Sequence, residues 1–102
     1  MGRKRFQLSA RISSNSPERI EALLRKLAGA GGTVKRTADG FEVEAVLEGE
    51  SARDLNRGLL SEMRRLEKKT RLRAQWTHAD TVEKFFDYVP KGTAHAGADK
   101  TR

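Results

Sequence analysis

The sequence predicts a small α+β domain. Two segments join a helix start signal to apolar residues spaced three and four apart, and four others alternate apolar and polar residues as half-buried strands do. At 102 residues, 36% hydrophobic and 34% charged, the chain has material for one domain with one core. That domain is expected over residues 1–90, and the small, polar, Gly-containing residues 91–102 read as a disordered tail.

The helices come first because their punctuation is clearest. Ser16 is placed to cap and Pro17 to take the first helical position, with Ile20, Leu23, Leu24, Leu27 and Ala28 forming one apolar stripe. Gly29, Gly31 and Gly32 then stop the helix. In the second, Ser51 and Asp54 form a capping-box pattern with Asp in place of Glu, and Ala52, Leu55, Leu59, Met63 and Leu66 form the stripe to about Lys69.

Three strands follow from strict alternation. Phe6, Leu8, Ala10 and Ile12 face one way in the first, Phe41, Val43, Ala45 and Leu47 in another, and Leu72, Ala74 and Trp76 in the last. A weaker strand spans Thr33 to Ala38, and Asp39-Gly40 after it suits a two-residue type I′ turn. That turn sets Lys35 opposite Glu44 and Arg36 opposite Val43. Arg36 then points inward, which requires its side chain to escape past the sheet edge.

The order strand, helix, strand, strand, helix, strand resembles the βαββαβ pattern of ferredoxin-like domains. It implies a four-stranded antiparallel sheet in the order 4-1-3-2, two helices on one face and a short C-terminal extension. The resemblance is to a fold and carries no function with it. For residues 80–89, Val82, Phe85, Phe86 and Val89 have helical spacing and Asp80 with Glu83 can cap, so a short helix is preferred. The same residues as a fifth strand set Lys84, Phe86 and Tyr88 on one face.

Composition excludes several classes of function. The chain has no cysteine, so it has no disulfide, no thiolate nucleophile and no cysteine-ligated metal. No apolar run approaches the ~20 residues of a membrane span and none follows Met1, so neither a membrane helix nor a leader is expected, and the expected location is cytoplasmic. Catalytic material is sparse. His95 falls in the tail, and His78 beside Asp80 and Glu83 reads as a strand-end histidine in preference to a metal ligand or base. Glu42, Glu44 and Glu48 read as a solvated face. The Gly29–Gly32 run follows a helix, whereas phosphate cradles precede one, so it reads as a C-cap and connector. No catalytic residue, metal or cofactor is assigned.

Charge is the remaining signal. The chain carries a net +7, and it is segregated: residues 1–38 hold nine bases and two acids, 39–50 hold five acids and no base, and 63–73 hold six bases and one acid. At ~100° per residue, Arg53, Arg57, Arg64 and Lys68 fall within an arc of roughly 60°, with Arg65 and Lys69 on its flank. Such a row suits the phosphates of RNA or DNA. The competing reading is a solvated helix face partnered by Asp54, Glu62 and Glu67. RNA-recognition domains of this topology stack bases on aromatics of the first and third strands, but the outward residues here are Gln7, Ser9, Glu42 and Glu44, which excludes that mode.

The sequence therefore reads as a non-catalytic binding or accessory domain contacting nucleic acid through Arg53, Arg57, Arg64, Arg65, Lys68 and Lys69. The alternative is a module for a protein partner or a second copy, using the open sheet face or the aromatic segment Phe85, Phe86 and Tyr88.

Overall fold

The computed structural model describes residues 4–87 together with the backbone of 89–90. The tail expected over 91–102, His95 within it, and Tyr88 lie outside the described residues. The elements are β1 (Lys4–Ser13), a 3₁₀ turn (Pro17–Arg19), α1 (Glu21–Ala28), β2 (Thr33–Arg36), β3 (Gly40–Gly49), α2 (Ala52–Leu66), β4 (Arg71–His78), β5 (Thr81–Phe86) and β6 (Val89–Pro90). No helix among the described residues is long and apolar enough to cross a membrane.

All strand pairs are antiparallel, and the sheet order is β2-β3-β1-β4-β5-β6. The four-stranded ferredoxin-like arrangement, 4-1-3-2 with a short extension, is corrected by this: the sheet has five strands and a two-residue sixth. The preferred helix over 80–89 is overturned with it. Residues Ala79 and Asp80 make a two-residue connection, with Ala79 at φ 55°, that returns the chain along the free edge of β4. Strand pairing satisfies the backbone groups of that edge, which a helix packed beside it would leave open. Helical spacing at Val82, Phe85 and Phe86 was ambiguous because Phe85 alone turns inward, opposite Ala74.

The sheet has one dry face. Phe6, Leu8, Ala10 and Ile12 of β1, Phe41, Val43 and Ala45 of β3, Leu72, Ala74 and Trp76 of β4 and Phe85 of β5 are buried. All but Ala45 share one cluster with Ile20 and Leu24 from the first helical segment and Ala52, Leu59, Leu60 and Met63 of α2, so both helices cover this face. Nothing among the described residues covers the other face.

Helix boundaries also shift. Ser16 makes no side-chain cap, and the segment begins as a 3₁₀ turn before α1. Gly29, at φ 65°, ends α1 with its N–H on the Arg25 carbonyl. The Ser51 hydroxyl caps α2 by accepting the Asp54 N–H at 3.1 Å. Asp54 itself pairs with Arg57 instead of closing the box. The helix stops at Leu66, where Glu67 turns extended, so Lys68 and Lys69 stand in the turn beyond it. Leu66, expected in the core, is 44% exposed, and Asn56 and Leu60 are buried instead.

The β2–β3 register is displaced by two residues from the type I′ expectation. Lys35 faces Glu42, Val34 faces Val43 and Arg36 faces Phe41. Neither Asp39 nor Gly40 has positive φ. Gly40 opens β3 for a different reason: a Cβ there would lie 1.8 Å from the Ile12 carbonyl oxygen of β1. Arg36 does leave the core, and its guanidinium lies 5.4 Å from the centroid of the Phe41 ring.

Because the Gly40 backbone meets backbone and not a flexible side chain, G40A forces the two strands apart and costs about 1–3 kcal/mol in chemical denaturation. G31A, which meets nothing within 4 Å, serves as the near-neutral comparison.

Candidate functional site

Basic side chains converge where β1 ends, β4 begins and β5 ends. The local scaffold is a set of bonds to Asp87, which sits at φ 58° in the left-handed region that Asp tolerates better than most residues. Its backbone N–H donates to the Leu72 carbonyl, and its carboxylate accepts the Leu72 N–H at 2.9 Å. The same carboxylate accepts Arg71 at 3.1 Å and lies 3.5 Å from the Arg64 guanidinium. The Asp87 carbonyl accepts the side-chain amide of buried Asn56, whose own oxygen accepts the Trp76 indole N–H at 3.1 Å. Strands β4 and β5 and helix α2 are thereby tied at one point.

Two hollows open beside this point. One, of about 330 Å³, is lined by Arg11, Ser13, Asp39, Arg71, Arg73 and Phe86. The other, of about 570 Å³, is lined by Ser13, Ser14, Asn15, Asp39, Arg64, Lys68, Lys69, Arg71 and Asp87. They share Ser13, Asp39 and Arg71, so they form one concave surface with six cationic side chains and two carboxylates. Beside it, Glu67 accepts the Ser14 hydroxyl at 3.0 Å and the backbone N–H of Lys69 at 3.2 Å. Arg64 is held by a 2.9 Å bond to the Thr70 carbonyl as well as by Asp87.

The residues expected on one helical arc therefore divide. Arg64, Lys68 and Lys69 line the concavity, and Arg57 adjoins it through a shallow hollow shared with Leu60, Ser61 and Arg64. Arg53 and Arg65 line neither hollow, and Arg65 sits 3.7 Å from Glu62. Lys68 belongs to a turn and not to the helix, so the arc does not hold as a continuous helical row. The sequence reading left Asn56 and Asp87 unassigned and took Phe86 only as a contact for a partner. The outward alternation of Arg11 in β1 and of Arg71 and Arg73 in β4 was visible, but their convergence with Phe86 depends on β5.

On the open face the strand registers align Lys35, Glu42, Arg11, Arg73 and Phe86 in one row across five strands. Arg11 meets Glu42 at 2.7 Å, and this hydrogen bond, then the guanidinium charge, with a smaller contribution from Lys35, holds the Glu42 carboxyl below its ordinary range. Both Arg71 and Arg73 stand over the Phe86 ring, at 5.1 and 5.0 Å from its centroid. Arg73, Lys68 and Lys69 make no ion pair among the described residues.

The aromatic segment also divides. Phe85 is buried in the core and is not available to a partner, which corrects its assignment as a contact residue, whereas Phe86 is half-buried on the open face. Tyr88 lies outside the described residues. His78 packs its ring 5.3 Å from Phe6 and hydrogen-bonds the Arg5 carbonyl through Nδ1 at 3.0 Å. Compared with models of known families, with curated proteins and with solved structures, the chain matches none.

Two outcomes follow from these contacts. N56L strands the Trp76 N–H and the Asp87 carbonyl without partners and lowers stability by about 2 kcal/mol or more, read by urea denaturation, against less than ~0.5 kcal/mol for the exposed R57Q. In an NMR titration, the Glu42 carboxyl protonates at lower pH than an unpaired glutamate, and R11Q raises it toward the ordinary range. Since the folded value is depressed, the pair's stabilisation is present above the ordinary glutamate range and is lost as pH falls through the folded value.

Proposed function

We propose that the protein is a non-catalytic binding domain that holds the phosphate backbone of a nucleic acid in the concavity between the end of α2 and the start of β4. The observation that supports this is the convergence of Arg11, Arg64, Lys68, Lys69, Arg71 and Arg73 on two adjoining hollows, where these cations outnumber the lining carboxylates of Asp39 and Asp87 and the neighbouring ones of Glu42 and Glu67. Cations so placed repel one another, and a polyanion relieves that repulsion while releasing its own condensed counterions. The concavity also has two kinds of donor. Arg64 and Arg71 are fixed by Asp87 and present forked guanidiniums, whereas Lys68 and Lys69 extend from a turn as point charges. Fixed donors set the register of a strand, and the lysines add attraction without demanding one geometry.

A second reading, an interaction module for a protein or a second copy, is favoured by one feature of the open face. Val46 and Val82, 51% and 49% exposed, end the cross-strand row that runs through Gln7 and Thr77.

The test is fluorescence anisotropy with labelled oligonucleotides over a series of salt concentrations. Binding weakens steeply with salt, and K68Q/K69Q makes the slope of log affinity against log salt shallower by roughly 1.5. R53Q/R65Q, at positions outside the hollow, changes it by less than about 0.5. Salt-independent binding, or a slope that K68Q/K69Q leaves unchanged, overturns the backbone reading. No binding at low salt, with a dimer by light scattering that V46K/V82K dissolves, replaces it with the second.

A further inference from the structure

The concavity contains one group that a binder of phosphate alone does not need. Phe86 enters it from β5 on the same cross-strand row as Arg73 and Arg11. Its ring is faced by Arg71 and Arg73, so an aromatic plane and two guanidiniums form a single cluster at the wall of the smaller hollow. Resting on the reading of the concavity as a nucleic-acid site, we infer that it takes a single strand, with one unpaired base stacked on the Phe86–arginine cluster and the neighbouring phosphates on Arg64, Lys68 and Lys69.

Three features carry this. First, the faces of paired bases are hidden in the stack of a duplex, so an aromatic side chain in a basic groove acts on bases that are splayed out. Planar guanidiniums stack on the same faces, so base, ring and arginine are interchangeable layers. Second, the two arginines differ. Arg71 is anchored to Asp87 at 3.1 Å, while Arg73 has no ion pair among the described residues and can leave the ring to a base or lie over it. Third, the hollow mixes acceptors with its cations. Ser13 and Asp39 line it beside the arginines. The Asp39 carboxylate repels phosphate but accepts N–H and O–H donors, which a base edge or sugar has and a bare polyphosphate lacks.

The geometry also divides the ligand between the two hollows. The larger carries Lys68 and Lys69, neither with an ion pair among the described residues, and has no aromatic, which suits backbone. The smaller carries the aromatic, which suits a base. Arg71 lines both and joins them.

The experiment measures dissociation constants of the whole chain for labelled single-stranded RNA and DNA, for the duplex, and for an abasic single strand of the same length. Stacking on an aromatic contributes ~1–3 kcal/mol per base, so at least one base-bearing single strand binds about tenfold or more tighter than its abasic counterpart. F86L removes about that factor for base-bearing strands, leaves abasic binding and the salt slope unchanged, and F86W keeps the wild-type preference. The inference is overturned when the abasic strand or the duplex binds as tightly as both base-bearing single strands, or when F86L weakens abasic and base-bearing strands alike. In those outcomes salt-dependent binding sensitive to K68Q/K69Q still upholds the backbone reading. Absence of binding by every strand at low salt removes both. Should F86L fail to fold, the abasic comparison on the wild-type chain decides alone.

Discussion

Asp87 is the constraint on which the ordered architecture turns. A single residue at the end of β5 exchanges backbone and side-chain hydrogen bonds with Leu72, accepts Arg71, faces Arg64 and takes the amide of Asn56 on its carbonyl. Through Asn56 the chain of bonds reaches the buried Trp76 indole, so the helix layer and the sheet are joined by polar contacts inside an otherwise apolar core. Buried polar groups are costly when unpaired, and here each supplies the other's partner. Without the left-handed turn at Asp87, β5 would have no fixed end and the start of β4 no cross-link.

The same residue organises charge. Guanidiniums brought this close together resist assembly, and Asp87 offsets part of that cost by lying between Arg64 and Arg71. Farther along the sheet, Glu42 does the equivalent for Arg11 and Lys35. Arg73, Lys68 and Lys69 make no ion pair among the described residues, although Arg73 shares a hollow of the open face with Glu42 and Glu44 of β3. A net charge of +7 spread evenly would give weak attraction to any polyanion. Six of the 21 basic side chains instead line one concave surface beside an aromatic ring.

How far the sequence was legible differs by element. Period-two alternation in β1, β3 and β4 located those strands and their inward residues, because one-sided burial writes itself directly into the order of residues. The Ser51 cap was legible for the same local reason. The β2–β3 register was not, since Asp39-Gly40 fits a type I′ turn locally, while Gly40 is required by the approach of the Ile12 backbone from a strand distant in sequence. Nor was β5, whose spacing fits a helix until β4 offers it an open edge. The basic arc of α2 failed at Lys68 because the helix ends at Leu66. Three of its members nonetheless reach the concavity by another route.

By itself the sequence determined the class of the domain, the identity of most core residues, the segregation of charge and the lack of cysteine chemistry. Each of these is a property of local pattern or of composition. Tertiary structure alone decided that the sheet continues into β5, that Asn56 is buried, that Phe85 turns inward while Phe86 turns out, and that arginines of β1 and β4 meet lysines of the turn after α2. Those outcomes depend on pairing and packing between residues far apart in the chain. Such contacts leave no periodic trace in the sequence because their energies are shared among distant partners.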